Sequence, residues 1–514
     1  MDISRRVLVA GLVLCAGFFV RVIIKGYRTR RIFYRLRQQG LARHLLAHFP
    51  VVKTLPEDRQ QSGAFEALCK LHERKDGDSV IYLDTWPFSD PLMIICSPTL
   101  ATQASSQEHD LCKPPMLHSF FDPLAGGENL FTMNGPEWKR SRTFFDPGFS
   151  GNYILQQTSH IIDEADIYVE ILCERTRKED MFSLDDVTCW CLMDVIGSVT
   201  IDSRLHSQRR YNPLATALRR QIRWHWYSSY EMDSYIRNEL DKRYAEWTQD
   251  EASTRSIIHL ALQGYMAHQK DKARPTRLDQ AFKKWATIQI RLFLFAGHDS
   301  TSSTICYCFY LLESHPEVLA KLRAEHDAVF GSNIEETASN SREQPTLLNQ
   351  IPYATAVIKE ALRLFPPASA MRGGDPSVQL KDDRGNLYPT DGMNMWILHS
   401  ALQHHPNYWP EPLSFLPERW LVGPGDSLYP VKGGWRPFEH GPRNCLGQTL
   451  AMQDVKITLA LTAREFEIHN AFDEWDRLHP TTKVKHVNGE RAYQTQSWGA
   501  HPADGYPCRI TLRK

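Results

Sequence analysis

The chain has 514 residues and no net formal charge at pH 7, so its charge balance does not call for nucleic acid or an acidic partner. With 42% hydrophobic and 11% aromatic residues, it has the composition of a globular protein with a large core. Its 11 cysteines show neither disulfide-framework nor zinc-site spacing, which favours a reducing, cytosol-facing compartment over a secreted one.

An apolar run near the first residue predicts a membrane-spanning helix. The run from Val7 to Val20 is uncharged and extends to Ile24 if Arg21 reaches toward the interface, giving about 18 residues, the lower limit for a span. Basic residues follow from Lys25 onward, and the positive-inside rule keeps that flank cytoplasmic. The alternative is a cleaved signal peptide, but no A-x-A cleavage site follows the run.

The rest of the chain predicts a helical domain with little sheet. Short apolar runs between turn residues indicate a small β region around residues 79–98, and residues 152–330 carry apolar positions at helical spacing. Strand and loop signals return from Pro366, before another helix after Cys445. We therefore expect a mainly α fold with a small β region, divided into an anchor (1–24), a basic flank and connector (25–58) and one folded domain (59–514).

Within the helical part, the stretch LFLFAGHDSTSSTICYCFYLL is apolar except for its middle, from His298 to Thr304. Two interpretations are open. The stretch is either a strand, a glycine turn and a new helix capped by Asp299 or Ser300, or one long helix distorted where hydroxyls bind backbone carbonyls.

Further along, IKEALRLFPP places Glu360 and Arg363 three residues apart on one helix face. Such a pair is common on solvated helix surfaces. This helix is apolar at its other positions and ends at two prolines, and FLPERW, which contains Arg419, follows it.

The most specific pattern is 438-FEHGPRNCLGQ-448. A thiolate at a helix start is favoured by the helix dipole and by a nearby arginine, and it can attack a carbonyl, with His440 as base, or bind a soft metal. The glycines, the phenylalanine and the arginine suit a turn around a large planar anionic cofactor. The pattern F-x-x-G-x-R-x-C-x-G is fulfilled by Phe438, Gly441, Arg443, Cys445 and Gly447.

This segment resembles the haem-binding loop of the cytochrome P450 family. The resemblance implies the cytochrome P450 fold and haem b (iron protoporphyrin IX), with Cys445 as the axial thiolate ligand of iron. It also implies that Phe438 covers the thiolate side and that Arg443 reaches a haem propionate. Further propionate contacts are implied for Trp138 and Arg142, in GPEWKRSR, and for Arg372.

Two more elements follow from the same resemblance. Glu360, Arg363 and Arg419 match the family's buried ion triad, to which we assign a structural role. The stretch from Ala296 is similar to the family's A-G-x-D/E-T-T segment, so Asp299, Ser300 and Thr301 are the candidate catalytic residues that deliver protons during oxygen activation. Ser300 stands where the family usually has threonine, and we expect more wasted peroxide from the missing methyl group.

The function implied is that of a monooxygenase anchored in the endoplasmic reticulum membrane, with a cytosolic catalytic domain. The implied partners are NADPH–cytochrome P450 reductase, cytochrome b5, membrane lipid and a hydrophobic small-molecule substrate, and no nucleic acid is expected. The tail GERAYQTQSWGAHPADGYPC resembles fungal members that act in secondary metabolism. The alternatives are an isomerase or dehydratase of the same fold that needs no reductase, a non-catalytic haem-binding protein, and a Cys445–His440 hydrolase.

Overall fold

The computed structural model describes residues 3–38, 45–47, 80–84, 90–224, 229–247, 256–267, 276–480, 486–487, 489–497 and 499–513. Helices dominate, with small sheets beside them. The α-helices are α1 (Ile3–Gln38), α2 (Pro98–Ala104), α3 (Met116–Ala125), α4 (Gly135–Phe145), α5 (Gly151–Gln156), α6 (Thr158–Lys178), α7 (Leu184–Ile201), α8 (Pro213–Trp224), α9 (Ser229–Trp247), α10 (Ile257–Ala267), α11 (Gln280–Ser314), α12 (Pro316–Phe330), α13 (Thr337–Glu343), α14 (Pro352–Leu364), α15 (His399–Gln403), α16 (Gln448–Thr462) and α17 (Phe472–Leu478). The strands are β1 (Leu45–Ala47), β2 (Val80–Asp84), β3 (Leu92–Ile95), β4 (Phe182–Ser183), β5 (Ala370–Gly373), β6 (Gln379–Lys381), β7 (Leu387–Pro389), β8 (Asn394–Ile397), β9 (Phe466–Asn470), β10 (Gln494–Ser497), β11 (Gly499–Pro502) and β12 (Pro507–Leu512). The predicted mainly α fold with a small β region is confirmed.

The strands form four small sheets. The largest has the order β1-β2-β3-β8-β5, in which β2 pairs antiparallel with β3, β3 parallel with β8, and β8 antiparallel with β5. Another has the order β4-β12-β9, and β6-β7 and β10-β11 are two-stranded antiparallel pairs. The β10–β11 hairpin matters for the site because β11 packs against α11.

Helix α11 resolves the two interpretations of the polar stretch. It begins after Asp279, whose carboxylate accepts the Phe282 N–H over 2.7 Å, and continues without a break to Ser314. The Ser300 hydroxyl donates to the Ala296 carbonyl over 3.1 Å and the Thr304 hydroxyl to the Ser300 carbonyl over 2.9 Å, so these two hydroxyls bind within the helix. The interpretation as a strand, a turn and a new helix is therefore wrong. Helix α11 packs against α7, α14 and α16 and is buried along most of its length.

The first helix has two different halves. Leu14 and Phe18 are exposed, whereas Phe33 and Leu36 are buried against the core of the five-stranded sheet. An ion pair of 2.9 Å joins Lys25 to Asp90. The predicted boundary after residue 24 thus falls inside one helix, whose second half is packed on the folded domain. The predicted connector residues 48–58 lie outside the described part of the chain.

The structure also bears on the predicted membrane span. Among the described residues, no helix combines the length and the apolar character that a membrane crossing requires. The start of the predicted apolar run, residues 7–10, lies outside the residues whose side chains are described.

Candidate active site

The loop that carries Cys445 folds back on itself immediately before α16. The Cys445 N–H donates to the Phe438 carbonyl oxygen over 2.7 Å, which closes the loop. Gly441 has a φ of +75°, and a Cβ at this position would lie 2.0 Å from the Ser105 carbonyl oxygen. A side chain therefore fits neither the backbone angle nor the available space, and the loop shape depends on this glycine.

The surroundings of the Cys445 thiol favour its neutral form. Part of the residue is accessible, yet protein surrounds the sulfur closely enough that burial raises its pKa, and the Gly447 N–H and the Arg142 charge offset this only in part. The expectation of an activated, low-pKa thiol is thus wrong for the polypeptide by itself. A cation bound to the sulfur on its open side, such as a haem iron, would favour the thiolate over the neutral thiol.

Two arginines bind the loop to the start of the helical core. Arg142 on α4 donates from Nη1 to the Asn444 carbonyl over 2.7 Å and from Nη2 to the Asn444 side chain over 2.9 Å, and its Nε donates to Asp146 over 2.6 Å. The Arg443 guanidinium lies 4.2 Å from the Trp138 ring centroid, a cation–π contact. The structure therefore brings Trp138, Arg142 and Arg443 together beside Cys445, while the expected propionate contacts stay predictions.

A cluster of buried cations lies next to this loop. Burial lowers the pKa of Lys113, and the charges of Arg372 and Arg443 lower it further. Burial likewise lowers the pKa of Arg443 to about 10, again with a contribution from Arg372. Arg372 Nη2 and Arg443 Nε are buried without a hydrogen-bond partner among the described residues. Unpaired buried cations call for an anion, so the cluster fits a group with carboxylates such as the haem propionates.

The three residues of the predicted ion triad meet at Glu360. Arg363 binds both carboxylate oxygens over 2.8 and 2.9 Å, and Arg419, from the 3₁₀ turn Pro417–Trp420, donates to Oε1 over 2.9 Å. The Trp420 indole and the Leu416 N–H add bonds of 3.0 and 3.1 Å. Each charged side chain of the triad is 0% exposed. The Glu360 carboxylate therefore has almost no capacity to accept a further hydrogen bond.

A cavity separates α11 from the cysteine loop. Its empty volume is about 260 Å³, and its walls are mostly apolar. Ser300 and Thr301 reach it from α11 and Phe438 from the loop; the other lining residues are Thr304, Ile358, Leu362, Pro367, Ala451, Met452 and Val455. The two hydroxyl residues predicted to be catalytic and the predicted aromatic cover of Cys445 thus face the same space.

The third candidate catalytic residue, Asp299, is held from the other side of α11. Its Oδ2 accepts the Gly499 N–H over 2.8 Å, and its Oδ1 lies 3.2 Å from His501 Nε2. His501 Nδ1 in turn lies 2.9 Å from Asp185 on α7. Burial lowers the pKa of His501, but the two carboxylates outweigh it and raise the pKa to about 10, so the imidazole carries a charge at pH 7.

Sequence reasoning missed Lys113, Asp185 and His501. Lys113 lies in the loop before α3, and no short motif marks it. Asp185 and His501 are distant in sequence both from each other and from Asp299. Only the folded chain brings these three residues to the site.

The nucleophile alternative lacks the contact between thiol and base that it requires. Among the described residues, no hydrogen bond joins the His440 imidazole to the Cys445 thiol, and the Nε2 atom of His440 lies 2.8 Å from the Trp435 carbonyl oxygen. Burial also raises the pKa of the Cys445 thiol, which disfavours the nucleophilic thiolate.

Comparison with known proteins identifies the same family as the loop pattern. The family model described as Cytochrome P450 matches residues 46–222 and 211–493. A cytochrome P450 monooxygenase from Polytolypa hystricis, polC, is 38% identical over 97% of this chain and 94% of its own length. Another from Aspergillus aculeatus, acrF, is 29% identical over 89% of this chain and 99% of its own length.

The solved structures that resemble this one share its fold at low sequence identity. The crystal structure of the cytochrome P450DA haem domain superposes with a TM-score of 0.69 at 19% identity. The alignment covers 90% of this chain and 95% of that one. This similarity concerns the fold alone.

Proposed function

The chain belongs to the cytochrome P450 family and is a haem-dependent monooxygenase, and from this premise we propose its substrate class, redox partner and location. It oxidises a hydrophobic small molecule in secondary-metabolite biosynthesis. Its electrons come from NADPH–cytochrome P450 reductase, with cytochrome b5 as a second donor. The observation that carries the proposal is the single cavity faced by Ser300, Thr301 and Phe438, with the Cys445 loop beside it.

The residues in and near this cavity would have different roles in catalysis. Cys445 would ligate the haem iron, and Lys113, Arg372 and Arg443 would neutralise the propionates, since Glu439 offsets the charges of Lys113 and Arg372 only in part and Arg372 Nη2 and Arg443 Nε have no hydrogen-bond partner among the described residues. Haem supplies the capacity to take up single electrons and to activate dioxygen. The hydroxyls of Ser300 and Thr301 would hold protons within the cavity, and Asp299 would supply them from behind α11.

The proposed substrate class is supported by an aromatic cluster. Phe121 on α3 lies 4.4 Å, centroid to centroid, from Phe131 and 6.5 Å from Phe295 on α11. Phe121 lies within residues 115–130, a segment that we propose contacts the substrate. Aromatic faces on this segment and on α11, together with the mostly apolar walls of the cavity, favour an apolar substrate over a charged one.

We also propose that α1 attaches the enzyme to the endoplasmic reticulum membrane, with the catalytic domain in the cytosol. Leu14, Phe18 and Ile23 are 75%, 64% and 67% exposed, so an apolar surface of this helix has no protein partner among the described residues. The basic residues after Ile24 favour the cytosolic side. Alkaline extraction of membranes would release a protein truncated at residue 24 and retain the full chain.

Two measurements test the catalytic proposal. The reduced protein with carbon monoxide should show the absorption band of a thiolate-ligated haem, and Cys445→Ala should lose it, whereas Cys15→Ser, which changes an exposed cysteine on α1, should keep it. Product formation should require both NADPH and the reductase. Turnover without the reductase would instead establish the isomerase or dehydratase alternative. A thiolate-ligated haem with no turnover on any apolar substrate would favour the haem-binding alternative.

A further inference from the structure

A charged histidine lies between two carboxylates behind the distal helix. His501 comes from β11, Asp185 from the first turn of α7 and Asp299 from α11, so three separate elements meet here. The side chains of His501 and Asp299 are 8% and 9% exposed, and that of Asp185 is 16% exposed. The imidazolium forms ion pairs with both carboxylates, over 2.9 Å to Asp185 and 3.2 Å to Asp299, in a place that water hardly reaches.

The main chain of the β10–β11 hairpin, which carries His501, is bonded to α11 and to the segment after α14. The Gly499 N–H donates to Asp299 on α11, the Ser303 hydroxyl, also on α11, donates to the Ala500 carbonyl oxygen over 2.5 Å, and the Ala500 N–H donates to the Pro367 carbonyl oxygen, after α14, over 2.9 Å. A Cβ on Gly499 would lie 2.5 Å from Asp299 Oδ2, so the hairpin approaches the carboxylate as closely as a backbone can. The hairpin therefore fixes where the Asp299 carboxylate points.

We propose that His501 is the positioning residue for Asp299, and that Asp185 in turn holds the His501 ring. This inference rests on the proposed role of Asp299 in proton supply and deepens it. The Gly499 N–H donates to Oδ2 of Asp299 and the His501 imidazolium forms an ion pair with Oδ1 over 3.2 Å, so both carboxylate oxygens have a neighbour on the hairpin. Asp185 fixes the ring through Nδ1 and leaves Nε2 directed at Asp299.

The charge of His501 is the quantity on which this arrangement depends. The titratable and charged groups that face it are Asp299 and His298 from α11, Asp185 and Cys189 from α7, and Arg219 from α8, which acts on His298 and Cys189. The two carboxylates dominate, so the ring should stay protonated across neutral pH. Removing either carboxylate should let the ring lose its proton at lower pH.

The first test measures His501 without turnover. Histidine hydrogen–deuterium exchange, read by mass spectrometry from pH 5 to 10, should show an apparent pKa for His501 well above the ordinary value. In Asp185→Asn it should fall by about one unit or more, because a carboxylate within 4 Å typically contributes that much. An ordinary His501 pKa in the wild-type protein would overturn the proposal. So would a stoichiometric zinc or other metal bound by Asp185, Cys189 and His501, because a metal-bound imidazole is neutral.

The second test measures product formed per NADPH consumed. His501→Gln should lower this ratio by roughly tenfold, since a displaced carboxylate no longer lines up with the hydroxyls. In Asp185→Asn the ratio should decline with rising pH in a range where the wild type is constant. In the double variant the Asp185 change should add nothing further, because Asp185 acts through His501.

The matched control is His326→Gln, which also removes a buried imidazole, on α12, but leaves Asp299 and its partners in place. It should keep the wild-type ratio and pH profile. A His501→Gln enzyme with the wild-type ratio and pH profile would refute the positioning role. The proposed function would still stand in that case, provided the carbon monoxide spectrum and the reductase-dependent turnover remained.

Discussion

Two buried carboxylates, Glu360 on α14 and Asp299 on α11, are held in different ways. Glu360 accepts five hydrogen bonds, four of them from the side chains of Arg363, Arg419 and Trp420. Asp299 has one backbone N–H and one imidazole, which it shares with Asp185. The saturated Glu360 carboxylate has arginines as its charged neighbours, which keep their protons, whereas the charged neighbour of Asp299 is a histidine, which can exchange one. The first arrangement suits structure and the second suits proton supply.

The largest expected effect comes from removing the Glu360 carboxylate that Arg363 and Arg419 share. Glu360→Ala leaves two fully buried guanidiniums without their carboxylate, which should cost about 3–5 kcal/mol in the free energy of unfolding. Urea denaturation of the haem-loaded protein measures it. Lys321→Ala, which removes an exposed partner of Glu418, serves as the control and should change stability by less than about 1 kcal/mol. A small loss of stability in Glu360→Ala would contradict the structural role that distinguishes Glu360 from Asp299.

The second effect is a pH dependence of stability that we expect from the Asp299–His501 cluster. The folded-state pKa of His501 is raised to about 10 from an ordinary 6.5, so its stabilising contribution is complete below pH 6.5 and is lost as pH rises toward 10. The stability difference between wild type and His501→Gln should therefore shrink by roughly 3 kcal/mol from pH 6 to pH 9. Unfolding midpoints at a series of pH values measure it. A difference that grows with pH would contradict the charged state of the histidine.

A third, smaller effect comes from the close approach of Gly499. Gly499→Ala places a methyl group 2.5 Å from Asp299 Oδ2, so the carboxylate or the hairpin must move, at a cost of about 1–2 kcal/mol. Product per NADPH should fall in this variant, as in His501→Gln. Gly423→Ala is the matched control for crowding, since Gly423, like Gly499, has no positive φ but meets nothing within 4 Å. Equal loss of product in both variants would contradict the role of the close contact.

The smallest effect concerns Ser300. Ser300→Thr adds the methyl group that stiffens χ1, and the hydroxyl can still donate to the Ala296 carbonyl oxygen as it does now. Peroxide released per NADPH should fall by about threefold or less, with stability changed by only tenths of a kcal/mol. Peroxide and product assays on the same sample measure it. An increase in released peroxide would show that serine is the better residue in this helix.

The same comparison shows what the sequence can and cannot predict. Glu360 and Arg363 lie within one helical turn, and the five fixed residues of the cysteine loop lie within ten positions, so spacing alone indicates their chemistry. The partners of Asp299, Gly499 and His501, come from β11, and Asp185, which contacts His501, comes from α7; no local pattern joins these residues to α11. Long-range pairing of this kind depends on the whole packing of the helices and the hairpin.

Two further differences between the structure and the expectations from the sequence have specific physical causes. Periodicity could not choose between one helix and two elements at the polar stretch, because serine and threonine hydroxyls can bind either within a helix or at a cap. The pKa of the Cys445 thiol was expected to be low from the helix start and Arg443. In the folded chain Arg443 donates to the Met133 carbonyl and to Asn134, and burial dominates at the sulfur.

The hairpin contact also has a consequence for biosynthesis. Gly499 follows Asp299 by 200 residues. At common translation rates of about 5–20 residues per second, the Gly499 donor is therefore synthesised roughly 10–40 s after its acceptor, Asp299. During that interval α11 can pack against α7, yet Asp299 still lacks two of its fixed partners. The nascent protein thus passes through a stage in which α11 carries an acid without two of its partners, and the geometry around Asp299 is complete only when the hairpin folds onto the helix.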